Sequence, residues 1–289
     1  MGSEVLTLFD TLRAARERLI RAGIAPAEAA VDVDLYARTI LGWDRVHVLT
    51  RQNEPAPEAL EPRFSEWIAR REQREPSAYI VGTREFWGLD FAVSPAVLIP
   101  RPETEFIVEE ALEILNSFSL EAPKVADIGT GCGNIAISIA HELAHARLTA
   151  TDVSREALAI AAGNAERYRV DDRISFVATS YLDGLDDTFD VICANPPYVK
   201  DADKPGLAAD VQHEPDVALF GGTNGLRNVE GVLDTAVDKL HRGGWLVMEF
   251  GYGQENDVRH LVGARPSLRL ERVRADLQGI PRTAVIERI

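Results

Sequence analysis

Lys124-Val125-Ala126-Asp127-Ile128-Gly129-Thr130-Gly131-Cys132-Gly133 decides the fold. Its first half is a short apolar run of strand length, and its second half is a glycine loop. The apolar stretch Ile135–Leu143 follows at helical spacing. The glycines permit tight turning and let a ligand lie against the backbone. Their spacing is G-x-G-x-G, not the G-x-G-x-x-G of dinucleotide folds, and the Gly-Lys-Ser/Thr of a phosphate loop is missing. Taken alone, the loop also fits a plain strand-to-helix turn.

Its surroundings narrow the reading. Downstream, strand-like segments alternate with helical ones. Leu148–Thr151 is a second strand, ending at Asp152, and Ala157–Tyr168 is helical. Ile174–Ala178 and Asp190–Ala194 are further strands, Gly231–Leu240 is a helix, and Gly244–Phe250 is a fifth strand. Strands spaced by helices predict an α/β fold with an open, mostly parallel sheet covered on both faces. Leu268–Ala275 and Thr283–Ile289 form a terminal strand pair with no helix between them, so the last strand is expected to insert antiparallel.

Asp152 lies 19 residues beyond Gly133. At the end of the second strand of a doubly wound sheet, a carboxylate can accept hydrogen bonds from both ribose hydroxyls of a nucleoside. A helix N-cap is the competing role for Asp152, but Ser154 fits that cap better.

The fourth strand runs into Asn195-Pro196-Pro197-Tyr198. Two prolines fix the backbone and remove two N–H donors. Asn195 offers a side-chain carbonyl, and Tyr198 offers a flat aromatic face. An amide NH2 is a poor nucleophile because its lone pair is delocalised. Two acceptors, the Asn195 side chain and the Pro196 carbonyl, can hold its two hydrogens, aim its nitrogen and stabilise the charge that develops on it. A rigid proline turn is the plain alternative.

Upstream of the glycine loop, Val5, Leu8, Leu12, Ala15 and Leu19 follow helical spacing. Ala30, Val33, Ala37 and Ile40 repeat it between Pro26 and Gly42, and Leu60, Phe64, Trp67 and Ile68 continue it. The expected organisation is a helical N-terminal substrate-recognition domain over 1–75, a β-hairpin linker over 76–101 and a third domain over 102–289. In Leu98-Ile99-Pro100-Arg101-Pro102-Glu103-Thr104-Glu105, Pro102 suits a first helical turn, and both acids suit the helix dipole.

The net charge of −15 argues against a nucleic-acid substrate, since phosphate binding draws on lysine and arginine. The apolar runs are too short to span a bilayer, and the first residues lack a secretory pattern. Two cysteines suit a reducing compartment, with neither a metal cluster nor a disulfide framework. A cytoplasmic location is expected.

Together these residues resemble the class I methyltransferases, and the Asn-Pro-Pro-Tyr variant is shared by adenine-N6 DNA methyltransferases and glutamine-N5 protein methyltransferases. Nearly the whole chain is similar to the second group, the HemK/PrmC peptide chain release factor glutamine methyltransferases. The similarity covers Tyr79-Ile80, Gly82, Glu85-Phe86, Leu98 to Glu105, Asp127 to Gly133, Asp152, Asn164-Ala165, Asn195 to Tyr198, Glu214-Pro215, Ala218-Leu219, Gly225-Leu226, Glu249, Gly251, Gln254, Asp276, Gly279 and Arg282. The Ile-Pro-Arg-Pro-Glu-Thr-Glu stretch is the most specific part.

The resemblance implies a Rossmann-like, mostly parallel seven-stranded sheet behind a small all-α domain. It implies S-adenosyl-L-methionine as methyl donor and methylation of the glutamine in the Gly-Gly-Gln motif of release factors, an event of translation termination. By position, Gly129, Thr130, Gly131, Cys132 and Gly133 hold the cofactor, with Asp152 on ribose, Tyr181 beside the adenine, and Asn195 in reach. Asn195, Pro196, Pro197 and Tyr198 hold the glutamine. Ser180 stands where many relatives carry an adenine-contacting acid, which leaves two readings: Asp183 substitutes for it, or the contact is weaker. Cys132 is read as packing, because no cation adjoins it to activate a thiolate. The polar stretch 199–228 is read as a lid or binding surface that contacts the release factor and orders on binding. A glutamine in a ribosomal protein is the second-ranked acceptor and DNA adenine the third; a cofactor-binding module without activity ranks last.

Overall fold

In the first part of the chain, apolar residues return every three or four positions, and each such stripe becomes one buried helix face. The computed structural model describes residues 6–118 and 120–289, so Val5 lies outside the described residues. Helix α1 (Leu8–Arg21) is capped by Thr7, whose hydroxyl accepts from the Asp10 N–H, and it buries Leu8, Leu12, Ala15 and Leu19. Helix α2 (Pro26–Leu41) starts on proline and ends at Gly42 in the left-handed region. Its buried stripe is Ala29, Val33, Tyr36 and Ala37 together with Asp32, one position away from the expected face at Ala30. Short α3 (Arg45–Thr50), then α4 (Arg63–Glu72) and α5 (Ser77–Val81), complete the bundle. Phe64, Trp67 and Ile68 of α4 join the α1 and α2 stripes in one core.

The chain forms two compact units. The first comprises residues 1–82 with 208–213, and the second comprises 83–207 with 214–289. Within the first, Arg71 is 1% exposed. Its guanidinium is paired with Asp32 at 2.7 Å, with Asp210 at 2.9 Å and with Glu28. A buried charge needs such partners.

The second unit opens with a hairpin, β1 (Thr83–Phe86) and β2 (Leu89–Ala92), turned on Trp87 and Gly88, both at positive φ. That is the two-residue turn whose twist matches paired strands. Next comes a 3-10 turn over Pro102–Thr104 and helix α6 (Glu105–Ser117). The alternation then runs β3 (Lys124–Ile128), α7 (Asn134–Glu142), β4 (Arg147–Asp152), α8 (Arg155–Tyr168), β5 (Ile174–Ala178) and β6 (Phe189–Ala194). After a four-residue helix α9 (Asp216–Leu219) it continues with α10 (Arg227–Lys239), β7 (Leu240–Glu249), α11 (Glu255–Gly263), β8 (Leu268–Ala275) and β9 (Pro281–Arg288).

Seven strands lie in the order β5-β4-β3-β6-β7-β9-β8. β9 inserts between β7 and β8, antiparallel to both, and the other pairings are parallel. The expected antiparallel insertion of the last strand is what the sheet shows. The central strands β3 and β6 are buried almost throughout, as a sheet covered on both faces requires. From β3 the chain winds outward through β4 and β5, then returns to place β6 on the other side of β3. Open α/β sheets bind ligands at such a reversal, outside the carboxyl ends of the strands.

Candidate active site

Strand register assembles the site. Ile128 of β3 pairs with Thr151 of β4 and with Ala194 of β6. The next residues, Gly129, Asp152 and Asn195, therefore leave one edge of the sheet side by side. Ala194 in turn pairs with Met248 of β7, so Glu249 follows at the same edge. A cavity opens there, lined by Gly129, Thr130, Gly131, Cys132, Asp152, Ser180, Tyr181, Asn195, Pro196 and Pro197. The expected residues that stand off its wall are Gly133 and Tyr198. Asp183 also stands off, so the lining position belongs to Ser180.

The glycine loop has two functions within seven residues. Gly129 and Gly131 have φ of +71° and +56°, and a Cβ at either would meet nothing within 4 Å. They leave the cavity wall bare. Gly133 serves packing instead, since a Cβ there would lie 2.7 Å from Ile137 Cδ1 and 3.2 Å from Ala161 Cβ. Cys132 is buried, and burial pushes its thiol up to about 12. A thiol so placed stays protonated, which agrees with a packing role.

Asp152 accepts the Gly131 N–H at 3.0 Å on one oxygen and the Ser154 N–H at 2.8 Å on the other. A carboxylate has about four acceptor positions, so lone pairs remain on both oxygens. Ser154 caps α8 by accepting from the Ala157 N–H at 3.1 Å, and Asp152 is spared that task. Tyr181 sits at positive φ, its carbonyl bound by the Thr151 hydroxyl at 2.6 Å. Its ring lies over Gly231, where a Cβ would come within 2.2 Å of the ring. Below the loop, fully buried Asp127 accepts from Thr130 and from the Ala136 N–H on one oxygen. Its other oxygen is buried without a partner. Burial raises this carboxyl to about 7, against the pull of those two bonds.

On the acceptor side, Asn195 donates from Nδ2 to the Thr104 hydroxyl at 3.1 Å. Thr104 donates to Glu249 at 2.7 Å, and Tyr198 donates its hydroxyl to the other Glu249 oxygen at 3.0 Å. Burial pushes the Tyr198 hydroxyl well above its ordinary range, with the neighbouring Glu249 adding to the effect. Tyr198 is therefore not poised as a base. The Pro197 carbonyl accepts from Asn228 at 3.1 Å, and the Tyr198 carbonyl from Gln254 at 3.2 Å. Gly221 and Gly225 let the following loop lie against this backbone: a Cβ would fall 2.5 Å from the Pro197 oxygen or 2.4 Å from the Tyr198 oxygen.

Several of these residues carried no role in the sequence reading. Pro100, Arg101 and Thr104 line the cavity. Glu214, 4% exposed, accepts the Ile99 N–H and pairs with Arg101, holding that stretch in place. Glu249 had a readable signal, because an acid ending a central strand lies at the same sheet edge as Asn195. The stretch 199–228 contains helical turns over Asp201–Gly206 and Val211–His213, the helix α9, and a bridge between Val199 and Phe220.

A bare glycine wall and, beside it, a carboxylate with lone pairs to spare fit a cationic nucleoside. This fold and this site define a class I methyltransferase that uses S-adenosyl-L-methionine. A PrmC N-terminal domain model matches residues 10–82, and a methyltransferase small domain model matches residues 108–215. The release factor glutamine methyltransferase of Bradyrhizobium diazoefficiens is 40% identical over 257 residues, covering 88% of this chain and 86% of its own. That of Moorella thermoacetica is 39% identical over 279 residues, covering 95% and 96%. A methyltransferase structure from Pyrococcus furiosus shares the fold at a TM-score of 0.51 and 22% identity, over 70% of this chain and 89% of that one. The chain belongs to the release factor glutamine methyltransferase family.

Proposed function

We propose that this protein methylates the side-chain amide nitrogen of the glutamine in the Gly-Gly-Gln motif of peptide chain release factors. The observation that carries the reading is Asn195 at the cavity wall, one strand from the glycine loop and held by Thr104. The cofactor supplies an electrophilic methyl group on a sulfonium. Gly129, Thr130 and Gly131 form the bare surface for it, Asp152 accepts from the ribose hydroxyls, and Tyr181 stands on the adenine side. Asn195 Oδ1 and the Pro196 carbonyl accept the two amide hydrogens of the glutamine. That arrangement aims the nitrogen and stabilises positive charge on it as the new bond forms. Neither the buried thiol of Cys132 nor the Tyr198 phenol is required as a base, and the surplus proton leaves to water after transfer.

The helical unit at 1–75 is assigned to gripping the release factor, and the segment 199–228 to contacting its loop. Hydrogen exchange in 199–228 is expected to slow when the release factor is added; unchanged exchange would remove that assignment. Substitution separates the two halves of the site. Asn195→Ala is expected to abolish transfer with the cofactor dissociation constant unchanged. Asp152→Ala is expected to weaken cofactor binding by about tenfold or more, the loss of one or two charge-assisted hydrogen bonds. Normal transfer by the first variant, or normal binding by the second, contradicts the assigned role.

A further inference from the structure

We propose that Glu249, acting through the Thr104 hydroxyl, fixes which way round the Asn195 amide faces and so makes its carbonyl the acceptor shown to the glutamine. This rests on the function proposed above and adds two positioning residues to it.

Donor and acceptor direction fixes the amide. Glu249 is 1% exposed at the carboxyl end of β7. An ionised carboxylate accepts hydrogen bonds and donates none. The Thr104 hydroxyl has a single hydrogen, and at 2.7 Å from Glu249 Oε2 that hydrogen belongs to the carboxylate. Only lone pairs then remain on Thr104 Oγ1. The Asn195 group 3.1 Å away must be the NH2, and Oδ1 takes the other branch of the amide. Reversing Asn195 would set its carbonyl against those lone pairs. It would also set its NH2 against the NH2 of the incoming glutamine.

Glu249 is held so that this direction persists. Tyr198 donates to its second oxygen at 3.0 Å, so one carboxylate braces both ends of Asn195-Pro196-Pro197-Tyr198. Burial pushes the Glu249 carboxyl above its ordinary range and Glu103, beside Thr104, adds to that, while the bonds donated by Thr104 and Tyr198 and the charge of Arg282 on β9 pull the other way and favour the carboxylate. The three partners come from a 3-10 turn, a loop and a strand end, and Thr104 lies 145 residues from Glu249. A network of this reach is costly to keep satisfied, which points to a task beyond packing.

The test compares Thr104→Val, which keeps the shape and deletes the hydroxyl, with Thr104→Ala and Thr104→Ser. Steady-state methyl transfer to a purified release factor gives kcat and KM, and titration calorimetry gives S-adenosylmethionine affinity. Thr104→Val and Thr104→Ala are expected to lose about 100-fold in kcat, the scale set by a misaligned reacting group. KM and cofactor affinity should stay near wild type, and Thr104→Ser should restore most of kcat. Wild-type kcat in the valine and alanine variants overturns the proposal. Lost cofactor binding in both also overturns it, by marking the hydroxyl as merely structural, and a serine variant as slow as valine overturns it by showing that a hydroxyl at this position does not set the rate. Absence of transfer by the wild-type protein itself overturns the underlying reading, and this inference falls with it.

Discussion

At the residue scale, burial decides what each group near the cavity can do. Asp127 is the clearest case, because its folded carboxyl titrates near 7 while an unfolded aspartate titrates near 4. In the window between those values the folded state binds the extra proton, so stability falls as pH rises through it. Below pH 4 both states are protonated and the penalty is absent; above 7 it is complete. The protein is therefore expected to lose thermal stability between pH 4 and 7, and Asp127→Asn should flatten that slope. Melting temperatures of both proteins across this range check it, and parallel curves would contradict it. Asn195 and Asp152 were legible in the sequence because each ends an apolar strand with a polar side chain. Glu249 shares that strand-end signal, but its pairing with Thr104 is not legible, because nothing local reveals a hydrogen bond that spans 145 residues.

At the element scale, the glycine loop joins two demands that one substitution each can separate. Gly133→Ala is expected to cost about 2 kcal/mol or more of stability, since it forces a left-handed residue into contact with Ile137 and Ala161. Gly129→Ala meets open space, so its main effect should be on cofactor affinity, with about 1 kcal/mol from its backbone angle. Chemical denaturation and cofactor titration of both variants check the division; equal affinity losses would contradict it. Strands β3, β5 and β8 fall where the sequence pattern set them, although of the three only β3 is buried along most of its length. Helices α3 and α11 were not readable. The first buries only Val48, and the second only Val258 and Val262, so neither presents a stripe. Likewise α10 begins four residues before Gly231, on polar Arg227 and Asn228.

At the scale of the whole molecule, the chain is two compact units, and their boundary is less visible in sequence than either core. Helical periodicity fades after Ile68, yet the first unit continues to Gly82 because Ser77, Tyr79 and Ile80 fold onto it. The return of 208–213 to that unit had no signal, since it depends on Asp210 meeting Arg71 and Arg74. Arg71→Met would strand Asp32, 5% exposed, without its cation. Loss of one partner of a buried pair costs about 3–5 kcal/mol. The variant should melt earlier by circular dichroism and be cut faster by protease within 208–213; unchanged behaviour would contradict the anchoring role. The net charge of −15 sets a further expectation, that transfer to a protein substrate outpaces transfer to DNA.

The most direct measurement is mass spectrometry of a purified release factor after incubation with this protein and S-adenosylmethionine. The predicted result is one added methyl group on the Gly-Gly-Gln glutamine, lost with Asn195→Ala. An unmodified release factor, alongside methylated ribosomal protein or DNA in parallel reactions, would contradict the acceptor assignment while leaving the cofactor site in place.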